Sequence, residues 1–168
     1  FEFFLNEPLY KKLADEKVIN SDDEYSQIKI LISAFKNAGY DYVTLHGSDF
    51  HFPSEERKRK DTISLNEGEI ITDKKTLGQY PWPNPRKFDY SRLKKVEKVL
   101  PEGMKLIVPG PSGVLENVIS LVGYENLCYL ILDSPDLVEK VFNEVGSRLV
   151  RYYEICSIYD SVGALISN

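Results

Sequence analysis

Three times along this chain a helical pattern of apolar residues gives way to a short, unbroken apolar run, and few folds accept that order. The first pattern carries Ile28, Leu31, Ile32 and Phe35 at helical spacing. It opens on the capping box Ser21-Asp22-Asp23-Glu24, stops at Gly39, and leads into Tyr42-Val43-Thr44-Leu45. The second carries Leu93, Val96, Val99 and Leu100, with Asp89 or Ser91 as its cap. Pro101-Glu102-Gly103 breaks it before Leu106-Ile107-Val108. The third opens at Ser134-Pro135, with serine at the cap and proline at the first helical position. It runs through Leu137, Val138, Val141, Phe142, Val145, Leu149 and Tyr152 towards Tyr159, and leads into Val162-Gly163-Ala164-Leu165-Ile166. Strands without polar alternation are buried on both faces, which predicts a parallel sheet with helices outside it.

Two architectures satisfy that order, an open doubly wound sheet and an α/β barrel. No GxGxxG or GxxxxGK[ST] loop follows any strand, so the dinucleotide and phosphate folds lose their usual signature. Pro109-Gly110-Pro111-Ser112-Gly113 is glycine-rich but lacks the lysine, and a tight turn explains it. The expectation is therefore a (β/α)8 TIM barrel, of which this chain supplies about the first four βα units, counting residues 1–5 as the earliest strand. Residues 49–85 are too long for a simple connection and read as an insertion. Within it, residues 62–72 suggest a small β-hairpin around Asn66-Glu67-Gly68, followed by the stiff loop Tyr80-Pro81-Trp82-Pro83-Asn84-Pro85. An extra helix over residues 114–132, interrupted near Gly123, precedes the long third helix.

Composition narrows the function. A net charge of −5 argues against a duplex nucleic-acid binder, which needs a basic face. The basic run Arg57-Lys58-Arg59-Lys60 sits between acidic residues and reads first as a solvated loop, second as an anion-facing one. No apolar run approaches the roughly 20 residues that span a bilayer, and residues 1–6 lack a signal-peptide pattern. Cys128 and Cys156 fall in helical patterns without metal-type spacing, so a cytoplasmic protein is expected.

Chemistry is expected where barrel strands end. Leu45-His46-Gly47-Ser48-Asp49-Phe50-His51 occupies such an end and holds both histidines of the chain. His46 and Asp49 are the catalytic candidates: imidazole moves protons near neutral pH, and a carboxylate orients it. The competing reading is a pair of loop histidines bonded to backbone, with Asp49 capping a turn. Two histidines alone do not make a zinc site, which needs a third protein ligand. Glu7, His51, Trp82, Ser112 and Asn168 are substrate-binding candidates by position. Trp82 either walls a pocket or packs on its own insertion, and Asn6 and Glu7 otherwise cap a helix before Pro8-Leu9-Tyr10.

Several segments, taken together, resemble the uroporphyrinogen decarboxylase superfamily, in particular its corrinoid-linked methyltransferases. They are Tyr80-Pro81-Trp82-Pro83-Asn84-Pro85 with Phe88-Asp89-Tyr90, then Gly110-Pro111-Ser112-Gly113 and Gly123-Tyr124-Glu125-Asn126-Leu127. Asp133-Ser134-Pro135-Asp136-Leu137-Val138 and the strand running from Asp160 to Asn168 complete the set. In relatives that strand continues into an Asp-Asp-x-Gly-type motif, with Asn168 at its threshold. The resemblance implies a barrel about twice this length, completed by the rest of the same polypeptide or by a partner chain. Its mouth would hold a tetrapyrrole or a methyl-corrinoid partner protein, and zinc would be bound by His and Cys ligands from the other half. The family's decarboxylases carry an arginine-rich first loop, whereas residues 1–10 here hold no arginine and carry Glu2 and Glu7. The expected function is thus methyl transfer between a small methylated or methoxylated compound and a corrinoid protein. A porphyrinogen-type decarboxylase is the alternative, and a non-catalytic corrinoid- or tetrapyrrole-binding barrel is the third reading.

Overall fold

Tyr42–Thr44 (β1), Lys105–Pro109 (β2) and Val162–Ile166 (β3) lie side by side as a parallel sheet in the order β1-β2-β3. The computed structural model describes residues 6–20, 25–54 and 69–166. Its helices are α1 (Glu7–Leu13), α2 (Glu16–Ile19), α3 (Ser26–Asn37), α4 (Lys74–Gln79), α5 (Ser91–Val99), α6 (Val114–Val122), α7 (Tyr124–Asp133) and α8 (Pro135–Cys156). A 3-10 turn covers Pro85–Lys87. The α/β class and the parallel sheet are as the alternation predicts. The first expected strand, residues 1–5, the capping box at 21–24 and most of the expected hairpin lie outside the described residues.

The chain gathers into two units. One draws on Phe1–Asp49, Phe88–Gly110 and Tyr153–Asn168 and contains the sheet; the other draws on Phe50–Lys87 and Pro111–Tyr152. In the sheet unit, α3 buries Ile30, Leu31, Ile32, Ala34 and Phe35, so its apolar stripe is wider than a minimal amphipathic pattern. Phe35 packs against Tyr10, Tyr40 and Tyr42, with ring centroids 5.6–6.0 Å apart. The α1–α2 joint is tied down by polar contacts. Ser33 Oγ accepts from the Asp15 backbone N–H at 3.0 Å and donates to its carboxylate at 3.1 Å, while Asn37 donates to the Leu13 carbonyl at 2.9 Å. Gly39, at φ +89°, lets the chain leave α3 and turn into β1.

β2 is the central strand, with Leu106 and Val108 fully buried. The seam with β3 is irregular: Leu106 pairs with Val162 but Ile107 pairs with Ala164, so Gly163 is the additional residue of a bulge. A Cβ at Gly163 would stand 2.8 Å from Lys105 Cβ, which explains why no side chain occupies the position. The seam is pinned at its carboxyl end, where the Ile166 carbonyl accepts from the Gly110 N–H at 2.9 Å and from the Tyr153 hydroxyl at 2.7 Å. One expectation is corrected here. Val162–Ile166 reads as a buried strand, yet Gly163, Ala164 and Leu165 are exposed. Among the described residues β3 is an edge strand with nothing paired beyond it.

In the second unit α6 and α7 are separate helices because Gly123 takes φ +82° between them. Ile70–Thr72, expected as the return arm of the hairpin, is not a strand. Instead the Ile70 and Ile71 N–H groups both donate at 2.9 Å to the Leu121 carbonyl, one of the acceptors that a helix leaves open in its last turn. Ile71 is fully buried. Phe50 stacks on Tyr152 with centroids 5.6 Å apart, part of an aromatic group that includes Phe52, Tyr80 and Trp82.

The β2–β3 seam yields a stability prediction. A Cβ at Gly110 would lie 2.0 Å from the Tyr153 hydroxyl oxygen, so Gly110→Ala must displace the ring and break its bond to Ile166. The expected loss is about 1–3 kcal/mol. Tyr153→Phe, which removes only the hydrogen bond, should cost about 0.5–1.5 kcal/mol. Urea unfolding midpoints check both, and an alanine variant as stable as the parent would mean that the seam is looser than described.

Candidate active site

Parallel strands all end at the same edge of a sheet, and at the carboxyl end of β1 that edge carries His46 and Asp49. Leu45 still belongs to the ladder, its N–H donating to the Ile107 carbonyl at 3.1 Å. The chain then bends through His46, Gly47, Ser48 and Asp49, with Ser48 buried and Asp49 exposed. His46 is half-buried, and the backbone of Pro109, at the end of the neighbouring strand β2, is among the groups that act on its ring. Burial holds the His46 pKa below its ordinary value, against the opposing pull of the Pro109 carbonyl; Arg92 lowers it further and Asp49 raises it.

Arg92 reaches this site from the first turn of α5, its Nη2 lying 2.6 Å from Asp49 Oδ1. The helix start that carries it is fixed by Asp89, whose carboxylate accepts from the Ser91 N–H and from the Ser91 hydroxyl, each at 2.8 Å. Those two bonds, the backbone one first, hold the Asp89 carboxyl below the usual range. Leu93 and Val96 anchor the other face of α5 in the core. An imidazole, a carboxylate and a guanidinium thus share one edge, an arrangement able to accept, hold and return a proton.

Glu7 belongs to the same unit. It opens α1 as an exposed residue, paired with Lys11 at 2.7 Å, and the Asn6 side chain caps the helix from the Leu9 N–H at 3.2 Å. The Lys11 contact holds its carboxyl below the usual range. Glu7 and Leu45, the neighbour of His46, line one groove of about 280 Å³ together with Tyr10, Gln27, Ile28 and Leu31. The other candidates are placed differently. His51, Trp82 and Ser112 fall in the second unit, and Asn168 lies outside the described residues.

Within the second unit Trp82 is packed rather than open. Tyr80 and Phe52 meet its ring edge to face, at 4.7 and 6.3 Å, and the Arg148 guanidinium lies over it at 4.7 Å. Arg148 is held in turn by the Pro83 carbonyl at 3.0 Å and by Glu144. Tyr80 donates to the Pro53 carbonyl at 2.7 Å, and burial pushes its pKa up to about 12. Ser112 adopts φ +69°, rare for a residue with a side chain, in a turn that Asn117 braces. The Asn117 amide donates to the Pro111 and Gly113 carbonyls at 2.8 and 2.7 Å. A lone asparagine within the apolar stretch Val114-Leu115-Glu116-Asn117-Val118-Ile119 was the signal that would have singled it out.

Among the described residues no three His, Cys, Asp or Glu side chains are placed to hold a metal ion, and none of the helices is long and apolar enough to cross a membrane. Compared with protein-family models, curated proteins and solved structures, the chain matches none.

Titration of His46 is the direct check on this geometry. Its midpoint is expected below 6.5, its ordinary value. A pKa depressed by folding means that stability is fully present above the unfolded value and is lost as pH falls from about 6.5 through the folded midpoint. His46→Gln should remove that part of the pH dependence. Histidine ring signals followed by NMR report the midpoint, and a value at or above the ordinary one would contradict the half-buried ring.

Proposed function

We propose that this chain is the front part of a (β/α)8 barrel enzyme of the uroporphyrinogen decarboxylase type, and that it serves methyl transfer between a small methylated or methoxylated compound and a corrinoid protein. The observation that carries the reading is the meeting of His46, Asp49 and Arg92 at the carboxyl edge of the parallel sheet, the edge from which barrel enzymes work. The motif resemblance supplies the reaction class. The exposed strand β3, with a free outer edge among the described residues, favours continuation of the sheet by further strands of the same polypeptide.

The corrinoid, when bound by its partner protein, supplies the cobalt chemistry of methyl transfer. The residues of this chain serve the proton. When a methylated heteroatom loses its methyl group, the departing oxygen, nitrogen or sulfur must be neutralised, and in the reverse direction the acceptor must lose a proton. His46 offers a ring nitrogen for that exchange, and the charge of Asp49 favours the protonated ring. The described residues do not fit a zinc site, and no step here runs through zinc.

A porphyrinogen-type decarboxylase is the second reading. The charge of Arg92 is already matched by Asp49 at 2.6 Å, whereas a substrate with many carboxylates calls for several cations of its own, and this favours methyl transfer. The test uses the polypeptide that completes the barrel, incubated with methylcobalamin and with small thiols or phenols as acceptors. Loss of the methylcobalamin absorbance is expected. His46→Gln and Asp49→Asn should each slow it by about 10²–10⁴-fold. Carbon dioxide release from a porphyrinogen would transfer the assignment to the decarboxylase, and cobalamin binding without turnover would leave a non-catalytic barrel.

A further inference from the structure

We propose that Arg92 is a positioning residue of this site, its guanidinium fixing the Asp49 carboxylate at the carboxyl edge on the His46 side. The proposal rests on reading that edge as the reactive one, and it deepens that reading by assigning a role to a residue on a different element.

The geometry separates this role from ordinary surface pairing. The Asp49 side chain is 83% exposed, and an ion pair so open to water adds little to stability. Its distance of 2.6 Å is nevertheless that of a charge-assisted bond, and its partner is 43 residues away in sequence, on a helix start that is itself fixed. Asp89 clamps Ser91 by two bonds of 2.8 Å, and Leu93, the residue after Arg92, is fully buried. Arg92 is therefore launched from a rigid support, as a residue must be if it is to hold a loop carboxylate in one place. Its charge also opposes protonation of the His46 ring.

Three elements act on His46. Its own loop contributes Asp49, which favours the charged ring; β2 contributes the Pro109 carbonyl, which favours it as well; α5 contributes Arg92, which disfavours it. Arg92 thus acts twice: it holds the carboxylate in place, and it offsets that carboxylate's tendency to charge the ring. A site built this way keeps the imidazole in its accepting form while its counter-charge waits beside it.

The experiment compares the parent protein with Arg92→Gln, Arg92→Lys and Asp49→Asn, using His46→Gln to assign the ring signals by NMR. Arg92→Gln should raise the His46 midpoint and Asp49→Asn should lower it. Arg92→Lys, which keeps the charge but loses the planar fork, should leave the midpoint near the parent value. In the methyl-transfer assay both arginine variants should lower kcat by up to about a hundredfold, with KM little changed. An unchanged His46 midpoint in Arg92→Gln would overturn the proposal, and so would a rise in KM alone, which would make Arg92 a substrate-binding group. Because the titration needs no substrate, a raised midpoint without methyl transfer would uphold the role of Arg92 and defeat the functional reading instead.

Discussion

Parallel pairing is the constraint from which the rest of this structure follows. A parallel strand must return to its starting edge before the next can begin, and each return here runs through helix, so every strand of the sheet points the same way. The chain segments that leave β1 and β2 therefore stand at one edge whatever their sequence. Pro109 can act on His46 because two strands, 63 residues apart in sequence at that point, end together.

Much of this was legible in the sequence, and the physical reason is the strength of apolar periodicity. α3, α5 and α8 carry their buried residues where the spacing places them, and Gly39 and Gly123 mark breaks because each adopts a positive φ. The short helices were harder. α4 has six residues, none of them buried, and is held by the Asp73–Thr76 capping box, so no apolar stripe announces it. The hairpin expectation failed at Ile70–Thr72 for a related reason: β-branched residues suit a strand, but the open carbonyl of Leu121 offered these N–H groups another partner.

The site divides along the same line. His46 and Asp49 were visible because strand ends are readable and because histidine is scarce in this chain. Arg92 was not, since an arginine in the first turn of an amphipathic helix looks like any solvated cation until the fold brings it to Asp49. Trp82 was noticed for its rarity, and the structure packs two rings and a guanidinium against it within its own unit, leaving it partly exposed. Rarity draws the eye to a residue; contacts across the sequence decide its role.

The exposed strand β3 turns composition into an argument about what lies beside it. Natural edge strands are protected by charge, proline, shortness or an inward-turned polar group. Val162-Gly163-Ala164-Leu165-Ile166 contains no charge and no proline, and Leu165 is more than a third exposed. The Gly163 bulge in the seam with β2 is the one such device the strand carries. Such a sequence is suited to a central position, where both ladders are filled and both faces covered. The apolar character of β3 and its exposure are reconciled if a further strand pairs with its outer edge. The Ile166 carbonyl, already accepting from both Gly110 and Tyr153, would then hold that junction at the same edge as His46.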